Sequence, residues 1–199
     1  MEIYVTLNVV AFNGSPRKNG NTSILIGYIL KELEKEGIRT EIVQVGGHPV
    51  HGCTACMKCF ENKDGHCAID KDIVNTCIDK MVAADGIILG SPVYFTDVTA
   101  EMKALIDRAG FVSMANGGLY KRKAGTAVTA VRRAGGFRTL DSLLHFLLAG
   151  GMTIPGFPVL GVGREIGDVL KDEEGIARAV DAGKNMAWLL KTVEKANNQ

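Results

Sequence analysis

Short apolar runs alternate with longer stretches of helical periodicity along the 199-residue chain, and this alternation constrains its fold more than any other feature. Five of the short runs are expected to be buried strands, at residues 5–12, 39–45, 86–90, 123–131 and 158–162. Consecutive strands separated by helices are parallel, because parallel neighbours need a crossover connection. The sequence therefore predicts an α/β fold in which helices cover both faces of a parallel sheet.

The intervening stretches repeat apolar residues every three to four positions, which is typical of helices that pack against a core. Helices are expected over residues 21–37, 72–84, 99–109, a leucine-rich stretch at 140–148, and 172–195. A chain of this length can bury one substantial core, so residues 1–199 are expected to form a single domain, with residues 46–70 as a cysteine-rich loop inside it.

Charge and hydropathy exclude several classes of function. The chain has 23 Lys and Arg against 22 Asp and Glu, which favours neither nucleic acid nor a membrane surface as a partner. The N-terminal segment has an acidic residue at Glu2 and no basic region, and its apolar run is too short to span a bilayer. A cytoplasmic location is therefore expected.

The cysteines are concentrated in one place. Cys53, Cys56, Cys59 and Cys67 fall within fifteen residues, and Cys77 is the only other cysteine. The C-x-x-C-x-x-C spacing lets one short loop present three thiolates to different corners of an iron–sulfur cube, and Cys67 can supply the fourth. In a cytosolic protein such a group is more often metal-binding or catalytic than disulfide-bonded.

Two other uses of these cysteines stay open at this point, a tetrathiolate zinc site and free or redox-active thiols. Zinc sites usually pair two separated C-x2-C units rather than three cysteines in one run. The seven-residue last gap excludes a two-cluster ferredoxin, whose run has a gap of three. His48, His51 and His66 are expected to be loop residues outside the ligand set, and Cys77 a small buried hydrophobe.

A polar loop, residues 13–23, joins the first strand to the first helix. Ligands of open α/β sheets bind at the carboxyl ends of strands, and a helix N-terminus offers unpaired N–H groups to a phosphate. The expected phosphate ligands are Ser15, Arg17, Asn21, Thr22 and Ser23. The loop matches neither G-x-x-x-x-G-K-[ST] nor G-x-G-x-x-G, and the alternative is a simple turn with an Asn/Thr helix cap.

A second loop follows the third strand and reads Ser91-Pro92-Val93-Tyr94-Phe95-Thr96, with two aromatic residues at a strand end. With the GSPRKNGNTS loop and the cysteine spacing, the chain resembles the flavodoxin-like NAD(P)H-dependent FMN reductase superfamily and its iron–sulfur flavoprotein branch. The resemblance covers nearly the whole chain. It implies a three-layer sandwich with a five-stranded sheet in the order 2-1-3-4-5, an FMN cofactor, and a 4Fe-4S cluster on the four cysteines.

The resemblance also implies which residues contact FMN beyond the phosphate loop. Those expected at the ring are Pro92, Val93, Tyr94, Phe95 and Thr96, followed at its edge by Arg133, Gly135 and Gly136 of the turn after the fourth strand. Because the flavin carries the chemistry, no catalytic side chain is expected. The implied donor is NAD(P)H or a ferredoxin, and a homodimer or homotetramer in contact through residues 111–120 would complete the site.

Two other functions compete with a reductase. A non-catalytic flavodoxin-like electron carrier would have only protein partners, and such carriers generally show a charge bias that this chain lacks. A protein-interaction module stabilised by zinc, without flavin, would require the flavin-binding motifs of both loops to be coincidental. A reductase that uses the cysteines as plain thiols would keep the flavin and lose only the cluster.

Overall fold

The computed structural model describes residues 7–197. Its strands are β1 (Asn8–Asn13), β2 (Arg39–Gln44), β3 (Gly86–Pro92), β4 (Ala124–Val131) and β5 (Val159–Val162). They form one parallel sheet in the order β2-β1-β3-β4-β5, which confirms the predicted order. The first residues of the predicted first strand, 5 and 6, lie outside the described residues.

Six α-helices accompany the sheet within the described chain. They are α1 (Asn21–Lys35), α2 (Lys58–Asn62), α3 (Val74–Ala83), α4 (Ala100–Ala115), α5 (Gly136–Ala149) and α6 (Glu173–Asn197), and a 3₁₀ turn spans Asp168–Lys171. Neither α2 nor the 3₁₀ turn was predicted, because segments this short show no hydrophobic period. Between residues 7 and 197, no helix is long and apolar enough to cross a membrane.

Helix α4 runs six residues beyond its predicted end at Ala109. Gly110 has low helix propensity, but packing of the following turn against the core outweighs it, and Val112 is buried. The extension matters for function because the second half of α4 faces the cysteine loop.

The sheet separates two hydrophobic cores, as alternation along each strand requires. On β1, Val9 and Ala11 face the core beneath α1 and α6, whereas Val10 and Phe12 face the core beneath α3, α4 and α5. The central strands β3 and β4 are buried on both faces because each contributes side chains to both cores. They therefore carry few polar residues.

The carboxyl ends of the strands meet at one edge of the sheet. In register, Asn13 of β1 lies beside Gly90 of β3, and Pro92 of β3 lies beside Ala130 of β4. Strand order reverses at β1, so a crevice opens there between the loops that follow β1 and β3. The loops singled out in the sequence therefore converge on one place.

Candidate functional site

The loop after β1 presents the start of α1 to this crevice. Gly20 caps the helix without any side-chain hydrogen bond to its first turn. Within the loop, the Asn13 carboxamide oxygen accepts from the Ser15 N–H at 3.1 Å, and Ser15 Oγ accepts from the Arg17 N–H at 3.2 Å. The uncapped end of a 15-residue helix carries a partial positive charge and suits an anion.

Thr22 provides a specific test of whether a phosphate fits. The residue is 1% exposed, and its Oγ1 is a buried side-chain oxygen without a hydrogen-bond partner in the described chain. Burying an unsatisfied hydroxyl costs about 1–3 kcal/mol, so such a group calls for a ligand. Thr22 lines the crevice, where a phosphate oxygen would accept its hydrogen bond.

Two other predicted phosphate ligands use their side chains inside the protein. The Asn21 carboxamide donates to the Glu165 carbonyl at 2.9 Å and accepts from the Gly167 N–H at 2.9 Å. The Ser23 hydroxyl donates to the Gly20 carbonyl at 2.9 Å. Any part that Asn21 and Ser23 play in holding a phosphate therefore falls to their backbone N–H groups.

The crevice is an open cleft of about 190 Å³ built by four loops. From the predicted set it is lined by Ser15, Arg17, Asn21, Thr22, Pro92, Val93 and Tyr94. Sequence reasoning missed Ala130, Gly163 and Arg164, which also line it, and placed Arg132, a further lining residue, only at the start of the turn after the fourth strand. The lining residues include three arginines and no acidic residue, so their charge complements an anionic ligand. Attention to every strand end, including that of β5, would have found these residues.

The loop after β3 makes a tight reversal at the mouth of the cleft. Tyr94 N–H donates to Asp97 O at 2.8 Å, and Asp97 N–H donates back to Tyr94 O at 3.2 Å. Phe95 (φ 43°) and Thr96 (φ 75°) occupy left-handed backbone positions between them, at a cost of about 1–3 kcal/mol each. Strain of this size is typical of functional loops.

The aromatic pair divides between the cleft and solvent. Tyr94 lines the cleft and is half-exposed, whereas Phe95 projects fully into solvent at the tip of the turn. Phe95 and Thr96 do not line the cleft of the isolated chain. Their contact with the flavin ring stays a prediction.

The glycine-rich turn after β4 supports the β3 loop. Gly135 has φ 88°, and a Cβ there would lie 2.8 Å from Val93 Cγ1 and 2.9 Å from Thr96 Cα. A Cβ on Gly136 would lie 2.6 Å from Leu160 Cδ1. Both glycines therefore permit close packing behind the cleft, while Arg133 is exposed beside it. Their role as flavin contacts stays a prediction.

Asp97 ties the same loop to α5. Its carboxylate accepts from Ser142 Oγ at 2.7 Å and lies 3.2 Å from an Arg138 guanidinium nitrogen. Partial burial raises the pKa of Asp97, but the hydrogen bonds from Ser142 and Val98 and the charge of Arg138 outweigh it, so the net pKa is lowered.

The four cysteines gather around a second pocket, between the loop after β2 and α4. Cys53, Cys56, Cys59 and Cys67 all line this pocket, whose walls are otherwise almost entirely apolar. Cys53 and Cys56 are exposed, and Cys59 and Cys67 are half-buried. The structure thus brings together all four predicted metal ligands.

The backbone of the cysteine loop is wound so that its thiols face one side. Ala55 (φ 52°) and Met57 (φ 59°) alternate with the cysteines in left-handed positions that L-residues rarely adopt. The short helix α2 then docks on α4 through Phe60 and Phe111, whose rings meet edge to face at 6.4 Å. Packing against α4 therefore orders a loop that has little core of its own and compensates for its strained positions.

Cys67 is fixed separately, by α3. The Asn75 carboxamide accepts from the Cys67 N–H at 2.8 Å and donates to the Cys67 carbonyl at 2.9 Å. Next to it, His66 Nε2 lies 2.8 Å from Asp79 Oδ1, so this histidine is engaged on α3. His48 and His51 are exposed, as expected of loop residues.

Four cysteine sulfurs are a donor set that a 4Fe-4S cluster or a tetrathiolate zinc ion can use. Between residues 7 and 197, no group of three His, Cys, Asp or Glu side chains is arranged to hold one metal ion. Tetrahedral zinc needs four sulfurs at about 2.3 Å from one centre. In a cubane each thiolate binds its own iron, so four thiols spread around one pocket fit it.

The thiols differ in their pKa values. The Lys58 N–H lowers the pKa of Cys56, whereas burial raises that of Cys59. Burial also raises the pKa of Cys77 to about 12. Cys77 is 1% exposed within the core beneath α3 and α4, which confirms its reading as a small buried hydrophobe.

Helix α4 connects the two sites. It begins at Ala100, directly after the β3 loop, and reaches the cysteine pocket at Arg108. Eight residues of α-helix correspond to a rise of about 12 Å, so the cysteines lie beside the cleft and not within it.

Comparison with known proteins places this architecture among flavoproteins. The family model described as NADPH-dependent FMN reductase matches residues 7–165. An iron–sulfur flavoprotein of Methanocaldococcus jannaschii is 35% identical over 198 residues, covering 95% of this chain and 100% of the relative. An iron–sulfur flavoprotein of Methanosarcina thermophila is 30% identical over 191 residues, covering 95% and 98%.

Solved structures agree on the fold. RosB, solved with bound 8-demethyl-8-formylriboflavin-5'-phosphate, superposes with a TM-score of 0.72 at 17% identity, covering 96% of this chain and 81% of that one. A flavodoxin from the domain Archaea superposes with a TM-score of 0.61 at 14% identity, covering 93% and 99%. At these identities the likeness supports the flavodoxin-like fold alone.

Proposed function

The chain belongs to the NADPH-dependent FMN reductase family, in its iron–sulfur flavoprotein branch, and is an FMN-dependent oxidoreductase; we propose that it transfers electrons from NAD(P)H or a ferredoxin through a 4Fe-4S cluster to its acceptor. The acceptor is a small molecule or a protein. The observation that carries the proposal is the pairing of a phosphate cleft with a four-cysteine pocket on one sheet, joined by α4.

FMN is assigned to the cleft at the carboxyl edge of the sheet. The buried Thr22 hydroxyl, the first N–H groups of α1 and the Arg17 guanidinium would hold its phosphate. Backbone groups of residues 92–96 would contact the ring, with Tyr94 as one wall. When bound, FMN accepts hydride from a nicotinamide and releases electrons singly or in pairs, so the protein needs no acid–base side chain.

The cluster is assigned to Cys53, Cys56, Cys59 and Cys67. The convergence of all four thiols on one apolar pocket supports this assignment, as do the names of both relatives. The apolar residues of α4 lower the local dielectric constant on the inner side of the pocket, whereas Cys53 and Cys56 lie on its exposed side. Its chemistry is one-electron transfer, which would let the flavin exchange electrons with one-electron partners.

We also propose that the chain forms a homodimer or homotetramer. The segment 111–120 was expected to form the contact, and Phe111 and Met114 in it are 40% and 67% exposed. Apolar side chains of this size on one helix face favour a homodimer or homotetramer.

Steady-state assays without air, with NADH and NADPH as donors, test the reductase reading. We expect turnover with at least one nicotinamide and loss of that turnover when FMN is removed. No turnover with either donor, combined with rapid reduction by a ferredoxin, would contradict it and identify a carrier protein. A turnover that survives replacement of the cysteines would instead indicate a reductase that works without a cluster.

A further inference from the structure

We propose that Arg108 is a positioning residue that raises the reduction potential of the cysteine site through its hydrogen bond to Cys67. This inference rests on the proposed function, because it concerns the cluster assigned to the four cysteines. It adds a fifth residue to that site, from a helix that contributes none of the predicted ligands.

The contact is buried and specific. Arg108 is 1% exposed and is among the largest fully buried side chains of the described chain. Its Nε–H donates to Cys67 Sγ at 3.2 Å, across 41 positions in sequence. An arginine almost never lies fully inside a protein unless its donors are satisfied, so each of its other contacts bears on its role.

The rest of the guanidinium fastens the cysteine loop to α4. Nη1 donates to the His51 carbonyl at 3.0 Å and to the Asp72 carboxylate, and Nη2 donates to the Ile69 carbonyl. His51 precedes the first cysteine and Ile69 follows the last. Arg108 therefore holds both ends of the loop and directs its Nε–H at a thiol.

The positive charge of Arg108 gives its hydrogen bond to Cys67 an effect on the reduction potential of the cluster. Of the described residues that line the cysteine pocket, Arg108 alone has a charged side chain besides the thiols, and the other walls are almost entirely apolar. Hydrogen bonds to the sulfurs and net charge set the potential of an iron–sulfur cluster. The reduced cluster carries more negative charge on its sulfurs than the oxidised cluster. A hydrogen bond from Arg108 to Cys67 is therefore stronger in the reduced state, and the low polarity of the pocket increases this difference.

A purely structural role would leave the potential unaffected by Arg108. Buried Arg–Asp pairs occur as structural links, and the pair with Asp72 taken alone would be such a link. The Nε–H, however, faces sulfur and not the carboxylate. This difference can be tested by removing the donor while keeping the buried volume, with Asp72 replaced in the same variants so that no buried carboxylate loses its partner.

The experiment compares three variants of the full-length FMN-loaded protein, prepared without air. Asp72→Asn retains Arg108 and serves as the reference. Asp72→Asn/Arg108→Met removes the donor and the charge at similar volume, and Asp72→Asn/Arg108→Gln restores a neutral donor. Arg178→Met on the exposed face of α6 is the matched control. The readout is the midpoint potential of the cluster by a redox titration followed by EPR.

We expect the methionine variant to shift the reduction equilibrium at least about tenfold toward the oxidised state, which is about 59 mV for a one-electron couple. The glutamine variant should recover part of that shift, and Arg178→Met should match wild type. Equal potentials in the methionine variant and the reference would overturn the proposal. If the methionine variant retains no iron, Asp72→Asn/Arg108→Leu replaces it as a second variant without a donor: a potential equal to the reference overturns the proposal, and a shift of about tenfold toward the oxidised state supports it.

The same preparations separate this inference from the function on which it rests. Wild-type protein without iron and sulfide would overturn the cluster assignment and this inference together. Wild-type protein with a normal cluster, but with potentials insensitive to Arg108, would overturn the inference alone.

Discussion

Thr99 Oγ1 donates a 2.8 Å hydrogen bond to the Gly14 carbonyl, across 85 positions in sequence. The same oxygen accepts from the Met102 N–H at the start of α4, so Thr99 is the N-cap of this helix. One buried hydroxyl thus joins the loop expected to hold phosphate to the helix that reaches the cysteine pocket. This hydroxyl is one of the contacts that fix the placement of the two sites relative to each other.

Thr99→Val tests this junction. Valine keeps the volume but cannot donate to Gly14 or cap α4, so we expect the free energy of unfolding to fall by about 2 kcal/mol. FMN affinity should fall about tenfold as the loop loosens, which flavin fluorescence during titration would measure. Thr192→Val, whose hydroxyl bonds only to Trp188 O on the exposed side of α6, should change neither quantity. Unaltered FMN affinity in Thr99→Val would contradict the linkage.

Thr22→Val should affect stability and binding in opposite directions. Its hydroxyl oxygen is buried without a partner, so valine should stabilise the FMN-free protein by about 1 kcal/mol or more. The same change should weaken FMN binding about tenfold, because the phosphate loses a donor. Affinity for riboflavin, which has no phosphate, should stay unchanged.

Calorimetric scans of the apoprotein and titrations with both flavins measure these effects. Equal losses of FMN and riboflavin affinity would show that Thr22 supports the site without touching phosphate. Thr192→Val again serves as the matched control.

Asp97 should make stability depend on pH in the acid range. Its pKa in the folded protein is lowered, so its contribution is present above its unfolded pKa and is lost as the pH falls through the lower folded value. Wild-type protein should therefore lose stability more steeply than Asp97→Asn as the pH falls from about 5 to about 3. Urea unfolding at a series of pH values measures the two slopes, and parallel slopes would be inconsistent with the Asp97–Ser142 contact.

Thiol alkylation should rank the cysteines of cluster-free protein. Cys53 and Cys56 are exposed, and the lowered pKa of Cys56 increases its thiolate fraction, so both should be labelled first. Cys77, with a pKa raised to about 12 inside the core, should be labelled only on unfolding. Peptide mapping by mass spectrometry after timed iodoacetamide exposure gives the order. Labelling of Cys77 at the rate of Cys53 would contradict the described packing.

The parallel α/β sheet could be predicted because the alternation of buried strands and amphipathic helices is a local signal. The order of its strands came from the family resemblance. The same local signal failed at α2 and at the end of α4. Five residues are too few to show a helical period, and Gly110 resembles a stop that tertiary packing overrides.

The candidate site could be predicted only where its residues follow one another along a loop. Arg108 and Thr99 were missed because their partners lie 36 to 85 positions away in sequence, and no local pattern reports such contacts. Conversely, Asn21 and Ser23 have the right chemistry for phosphate, but the Asn21 side chain bonds to the loop after β5 and the Ser23 side chain bonds to the start of its own helix. Residue type alone cannot show which donors remain free.

The most direct test of the account is the absorption spectrum of protein purified without air, together with its FMN, iron and acid-labile sulfide content. We predict flavin bands over a broad iron–sulfur absorption, with about one FMN and about four iron and four sulfide atoms per chain. Flavin bands without iron would remove the cluster and leave the flavoenzyme. Colourless protein that takes up no FMN would contradict the account at its centre.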